Sequence, residues 1–154
     1  RRLMEVEFAQ AFRCGASVGA LAVLDIDHFK AINDGHGHDA GDAVLRDLAT
    51  VVQSALRKTD RLYRFGGEEF VVWLGQGDAA AAAAVLERIR QVVRERVRIA
   101  DRAVTFSAGV AVHTAPESWQ ACLARADTAL YRAKREGRDR VVWTSPGEGA
   151  SSRT

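Results

Sequence analysis

The stretch Val18-Gly19-Ala20-Leu21-Ala22-Val23-Leu24-Asp25-Ile26-Asp27 decides how the rest of the chain folds. From Val18 to Ile26 it is almost unbroken apolar sequence, the pattern of a strand covered on both faces. A strand of that kind belongs in the middle of a sheet with helices packed on either side. It ends on two acids, and carboxylates are costly beside an apolar strand unless something neutralises them. Regular alternation would turn Asp25 and Asp27 to the same side. Taken alone, the pair also reads as two solvated strand-end acids.

Outward from this run the pattern changes period. From Asp39 it is helical, with Val44, Leu45, Leu48, Val52 and Leu56 on one face. Two β-like runs follow, Arg61 to Phe65 and Phe70 to Leu74, joined by Gly66-Gly67-Glu68-Glu69, a good hairpin signal. A second helix is expected from about Asp78, which can cap it, to Val97. Val104 to Val112 alternates, with Thr105, Ser107, Gly109 and Ala111 forming a face small enough for close packing. A third helix should run from about Ser118 to Glu136 and stop at Gly137, and Val141 to Trp143 can add a last strand. The order β-α-β-β-α-β predicts an α/β fold, a ferredoxin-like sandwich with a mixed central sheet flanked by helices.

The chain has 154 residues, enough for one domain. A net charge of +2 with 27% charged residues is too even for a general nucleic-acid binder, so no nucleic-acid partner is expected. No apolar run reaches the roughly 18 residues of a membrane helix, and no signal-peptide pattern opens the chain, so this segment is not expected to insert into a membrane. Cys14 and Cys122 are isolated, which fits a reduced compartment. Arg1 to Arg13 already looks helical, as if the chain continued from an upstream region. The domain is expected over residues 1–143, with a Ser/Gly-rich disordered tail over 144–154.

In the expected topology the first strand and the hairpin are neighbours, so Asp25 and Glu68 converge. Oxygen ligands of this kind suit Mg²⁺ shared with a nucleotide's phosphates. Such an ion assists attack of a hydroxyl on phosphorus.

These residues also fall into a known pattern. Asp25-Ile26-Asp27-His28-Phe29-Lys30, Ile32-Asn33-Asp34, Gly37-His38 and Gly41-Asp42, then Gly66-Gly67-Glu68-Glu69-Phe70, then Ala129-Leu130-Tyr131-Arg132-Ala133-Lys134 with Gly137-Arg138, resemble in order the signatures of the GGDEF diguanylate cyclases. The resemblance implies a nucleotide-cyclase, palm-like version of the fold. It also implies condensation of two GTP molecules into cyclic di-GMP and two pyrophosphates.

The resemblance assigns roles by position. Asp25, the Ile26 carbonyl and Glu68 match the ligands of Mg²⁺, with Mn²⁺ as an alternative. Glu68, Lys30 and Glu69 match catalytic groups, Glu68 assisting deprotonation of the attacking hydroxyl. Asn33 and Asp42 match the guanine readers, Phe29 and His38 border the phosphates, and Lys134 and Arg138 contact them. On the family pattern Asp27 is not a ligand, against the reading from alternation. Arg57 and Asp60, ending six residues before Gly66, match a product-binding inhibitory site, with Arg88 as its secondary arginine. Implied too are a homodimer, an upstream sensory or regulatory domain and a place in the bacterial cytoplasm. The sequence departs from the family where His36 replaces an aromatic and Asp139 replaces the usual Asn. The rival reading is a non-catalytic module that binds cyclic di-GMP or GTP; Asp42 favours guanine over adenine.

Overall fold

The apolar run forms the middle of the sheet. The computed structural model describes residues 19–75, 77–114 and 116–144. In it β1 (Ala20–Ile26) is buried along its whole length. It is followed by α1 (Phe29–His36), α2 (His38–Ala55), β2 (Arg61–Arg64) and β3 (Glu69–Leu74). Then come α3 (Ala79–Arg96), a small hairpin of β4 (Arg98–Ile99) and β5 (Arg102–Ala103), β6 (Phe106–Val112), α4 (Trp119–Arg135) and β7 (Val141–Thr144). The main sheet has the order β2-β3-β1-β6-β7, antiparallel except for the parallel pair β6–β7. Its first four strands form the expected ferredoxin-like core, and α4 carries the chain over to β7 as an added parallel strand.

Strand alternation divides β1 between two cores. Ala20, Ala22, Leu24 and Ile26 pack with Val44, Leu45, Leu48 and Val52 of α2 and Leu86, Ile89 and Val93 of α3. Leu21 and Val23 pack with Val71, Trp73 and Ala111 against Cys122, Leu123, Ala126 and Leu130 of α4. Each large apolar side chain buried this way contributes about 1.5–3 kcal/mol. The small face expected on β6 is used as read: a β-carbon at Gly109 would overlap the Ala126 carbonyl and the Leu130 amide, so α4 rests its backbone on the strand. Burial pushes the Cys122 thiol up to about 12, which leaves it an inert core group.

Asp78 caps α3 by accepting from the Ala81 amide at 2.9 Å, and Ser118 caps α4 through the Ala121 amide at 3.2 Å. Glu136 closes α4, Gly137 turns left-handed at φ 124°, and the Arg138 amide donates back to the Ala133 carbonyl at 3.0 Å.

Several boundaries differ from the expectations. α1 was not anticipated: its eight residues bury no side chain fully, so it lacks the apolar stripe that marks a helix in sequence. The β4–β5 hairpin was also missed, at two residues per strand too short for any period. The strand expected from Val104 starts at Phe106, because the Val104 amide donates instead to the Val97 carbonyl. Thr144, expected to open the tail, is the buried last residue of β7. The helix expected over Arg1 to Arg13, Cys14 and the rest of the tail lie outside the described residues. Among the described residues, no helix is long and apolar enough to cross a membrane.

Candidate functional site

The site is assembled where β1 ends beside the hairpin. Asp25 stands opposite Glu69 in the β1–β3 register, and the Ile26 amide donates to the Glu68 carbonyl at 3.4 Å. Asp25 is buried, and one carboxylate oxygen, Oδ2, is paired with the Lys134 ammonium of α4. Its other oxygen, Oδ1, is buried and has no hydrogen-bond partner among the described residues. Desolvation, then the charges of Asp25 and Asp127, raise the Glu69 carboxyl above its ordinary value; Lys134 opposes them.

Three carboxylates, Asp25, Asp127 and Glu68, act on Glu69 here against the ammonium of Lys134. The donor types at this end of the sheet, carboxylate and main-chain carbonyl oxygen, are those a magnesium-like cation takes, and among the described residues Asp25 Oδ1 is left with a lone pair to offer it. Among the described residues, no three His, Cys, Asp or Glu side chains gather as a ready-made metal cage.

Asp27 has a different task. Its Oδ1 accepts from Ser107 Oγ at 2.6 Å, and its Oδ2 accepts from Thr105 Oγ1 at 2.8 Å and the Asp139 amide at 2.9 Å. Its own amide donates to the Thr105 carbonyl. β1 has ended at Ile26, so strand alternation does not extend to Asp27. The carboxylate is saturated by hydrogen bonds that tie β1, β6 and the turn after α4.

On the other side of the hairpin lies an open cleft of about 490 Å³, lined by Asp42, Leu45, Arg46, Ala49, Leu62, Arg64 and Phe70. Nearby, Asn33 on α1 has its Oδ1 buried without a partner among the described residues. Gly41 makes room for it, since a β-carbon there would overlap Asn33 Oδ1 and crowd the Phe29 ring. His28 at the start of α1 makes no side-chain capping bond, and helix-start amides of that kind suit an anion. His28, at φ 57°, makes the turn into that helix. Lys30, His38 and Arg138 are exposed.

Arg57 and Asp60 line a second cleft of about 220 Å³ with Leu74, Gly77, Ala81, Ala82 and Val85. Asp60 is buried, accepting from the Arg57 amide at 2.8 Å through Oδ2 and from the Gly75 amide at 3.0 Å through Oδ1. It therefore closes its own turn and staples that turn to the end of β3. Arg88 is exposed on α3, three residues past Val85.

Three contributions escaped the sequence reading. Arg64 donates to the carbonyls of Gly66 and Gly67, at 3.3 and 2.8 Å, bracing the turn that carries Glu68. Asp127 adds charge beside Glu69. Asp139 is gripped by Arg90 and Arg94 of α3. Only the Arg64 position, flanking a Gly-Gly turn, offered any local signal.

Comparison with known proteins places this geometry. The family model described as diguanylate cyclase, GGDEF domain, matches residues 1–140. Diguanylate cyclase DgcP of Pseudomonas aeruginosa is 45% identical over 141 residues, 90% of this chain and 21% of DgcP. The GGDEF domain of DgcB from Caulobacter crescentus, solved in complex with c-di-GMP, superposes with a TM-score of 0.83 at 38% identity, covering 93% of this chain and 89% of that one. The active GGEEF domain of a diguanylate cyclase from Vibrio cholerae superposes with a TM-score of 0.84 at 35% identity, covering 94% and 96%. The chain spans about a fifth to a third of the length of the curated relatives it matches.

Proposed function

Because this chain belongs to the diguanylate cyclase GGDEF-domain family, we propose that it condenses two GTP molecules into cyclic di-GMP, each domain of a homodimer holding one GTP. The observation that carries the proposal is the meeting of Asp25, whose buried Oδ1 has no partner among the described residues, and the Glu68-Glu69 turn beside it. In each half-reaction a 3′-oxygen bonds to the α-phosphorus of the facing GTP, the bond from that phosphorus to the bridging oxygen breaks, and pyrophosphate leaves. A divalent cation, Mg²⁺ or Mn²⁺, held by Asp25, the Ile26 carbonyl and Glu68, would supply neutralisation of the triphosphate and acidify the 3′-hydroxyl.

The chain's own residues do the rest. Glu68 receives the hydroxyl proton, and Glu69 holds further negative charge at the cation side. Lys134 has three donors, so its ammonium can keep Asp25 and still reach a phosphate oxygen. Lys30, Arg138 and the amides at the start of α1, bordered by Phe29 and His38, hold the remaining phosphate charge. Asn33 and Asp42 read the guanine edge, Asp42 accepting from its N1–H and amino group, which adenine does not offer together. On this reading the reaction belongs in the bacterial cytoplasm, and a region upstream would bring the two domains together.

The same reading gives Arg57 and Arg88 a regulatory role, binding cyclic di-GMP as feedback. Asp60 would assist with the acceptor capacity its two backbone bonds leave free.

Incubation with GTP and Mg²⁺, with mass analysis of the nucleotides, tests the proposal. One cyclic di-GMP for every two pyrophosphates is expected. GTP binding without any cyclic product would favour the regulatory module instead.

A further inference from the structure

The turn between α4 and β7 is held in an unusual backbone. Gly137, Arg138 and Asp139 have φ of 124°, 65° and 48°, three left-handed residues in succession, two of which carry side chains. Such conformations persist only where the surroundings over-determine them, and they concentrate at functional positions. What this turn presents to solvent is the Arg138 side chain.

The constraints are visible. From the strand side, Asp27 Oδ2 accepts the Asp139 amide at 2.9 Å, and the Arg138 amide returns to the Ala133 carbonyl at 3.0 Å. From the helix side, Arg90 Nη1 donates to Asp139 Oδ1 at 2.7 Å, while Arg94 Nη1 donates to Oδ2 at 3.2 Å. Arg90 is the firmer of the two: its side chain is 15% exposed against 60% for Arg94. Its Nε also donates to Glu87 Oε2 at 3.0 Å, which fixes the guanidinium plane. Asp139 is thus clamped between α3 and the end of β1, with Arg138 immediately before it. A planar guanidinium gripping a carboxylate restricts orientation as well as distance.

We propose that Arg90 is a positioning residue for nucleotide binding: through Asp139 it fixes the backbone that aims Arg138 at the GTP phosphates. The inference rests on the reading of Arg138 as a phosphate contact. It adds a requirement on α3, an element with no other part in holding GTP. The Asp at 139 is integral to the arrangement, since its second charged oxygen is what engages Arg94.

The test is a double-mutant cycle read by calorimetric titration of a non-hydrolysable GTP analogue in Mg²⁺. Arg138→Ala is expected to weaken binding about tenfold or more, as loss of a charge-assisted phosphate contact does. Arg90→Ala should weaken it about threefold to tenfold in the native background and not at all in the Arg138→Ala background, the pattern of residues acting as one unit. If Arg90→Ala does not fold, the double neutral variant Arg90→Gln/Asp139→Asn replaces it, and the same disappearance of its effect in Arg138→Ala is expected. A merely structural Arg90 would lower the unfolding midpoint and leave affinity unchanged, which overturns the proposal. Losses that multiply in the double variant overturn it as well. Normal affinity in Arg138→Ala alone would refute the phosphate-contact reading and take the proposal down with it. That failure is told apart because it appears before Arg90 is altered.

Discussion

Asp25 of β1 and Glu69 of β3 face each other in register, two acids at directly opposed positions of an antiparallel pair. Like charges so placed destabilise a sheet. Lys134 answers one oxygen of Asp25 and leaves the other buried, without a partner among the described residues. A fold selected for stability alone would place β-branched or aromatic residues at these positions. On the proposed function this is the cation-binding end of the sheet, and function and stability become separable at individual residues.

Glu68→Gln should leave the fold intact and remove most turnover. The amide fills the same space on the braced Gly66-Gly67 turn but can neither accept the hydroxyl proton nor bring charge to a cation. General-base assistance alone is worth about 10²–10⁴-fold. Cyclic di-GMP formation at saturating GTP, beside a thermal melt, checks this; near-normal turnover would remove Glu68 from the mechanism.

Glu69 gives a pH dependence of known sign. Its folded carboxyl is raised above the ordinary 4.5, chiefly by desolvation and then by Asp25. Between those two values the native state holds more protons than the unfolded chain, so stability is fullest below the unfolded pKa and declines as pH rises through the folded one. Glu69→Gln should flatten that decline and raise the melting temperature at neutral pH. Melting curves from pH 4 to pH 8, roughly the span of carboxylate titration, would show it. A neutral-pH melting temperature that falls in the variant contradicts the burial assigned to this carboxylate.

Asp27→Ala should be costly to stability, unlike substitution of Asp25. Three donors, Ser107 Oγ, Thr105 Oγ1 and the Asp139 amide, lose their acceptor together. Each buried polar group left unpaired costs about 1–3 kcal/mol. Denaturant unfolding of Asp27→Ala and Asp25→Ala side by side is the measurement, with the larger loss expected for Asp27 and the larger loss of GTP turnover for Asp25.

These two aspartates also mark where sequence stops being legible. The buried strand, the hairpin, three of the helices and the small face of β6 followed from period and glycine placement, because each depends on local pattern. Whether Asp27 joins Asp25 could not be read that way. The answer depends on where β1 ends and on Thr105 and Ser107, some eighty residues on. α1 was invisible for a related reason: it buries none of its residues fully, and its Asn33 is accommodated by Gly41, which clears space from the next helix. Arg90 and Asp139 lie far apart in sequence and meet only in three dimensions.

The inhibitory-site reading can be tested cleanly only because the structure separates its two principal residues. Asp60 is buried and bonded to the Arg57 and Gly75 amides, so Asp60→Ala should loosen the turn before β2 whatever it does to product binding. Loss of inhibition in that variant would be ambiguous. Arg57 differs: its side chain is exposed at the mouth of the cleft, and the Asp60 carboxylate is held by its amide, which alanine retains. Arg57→Ala should therefore melt within about 0.5 kcal/mol of the native chain, as ordinary surface substitutions do. Its initial rate should be unchanged while inhibition by cyclic di-GMP is lost. Arg88→Ala, on the exposed side of α3, should weaken inhibition without abolishing it if a product dimer bridges Arg57 of one domain and Arg88 of another. Titration calorimetry with cyclic di-GMP on the three proteins separates this from competition at the GTP site. Unchanged product binding in Arg57→Ala would remove the inhibitory site and leave the cyclase reading standing.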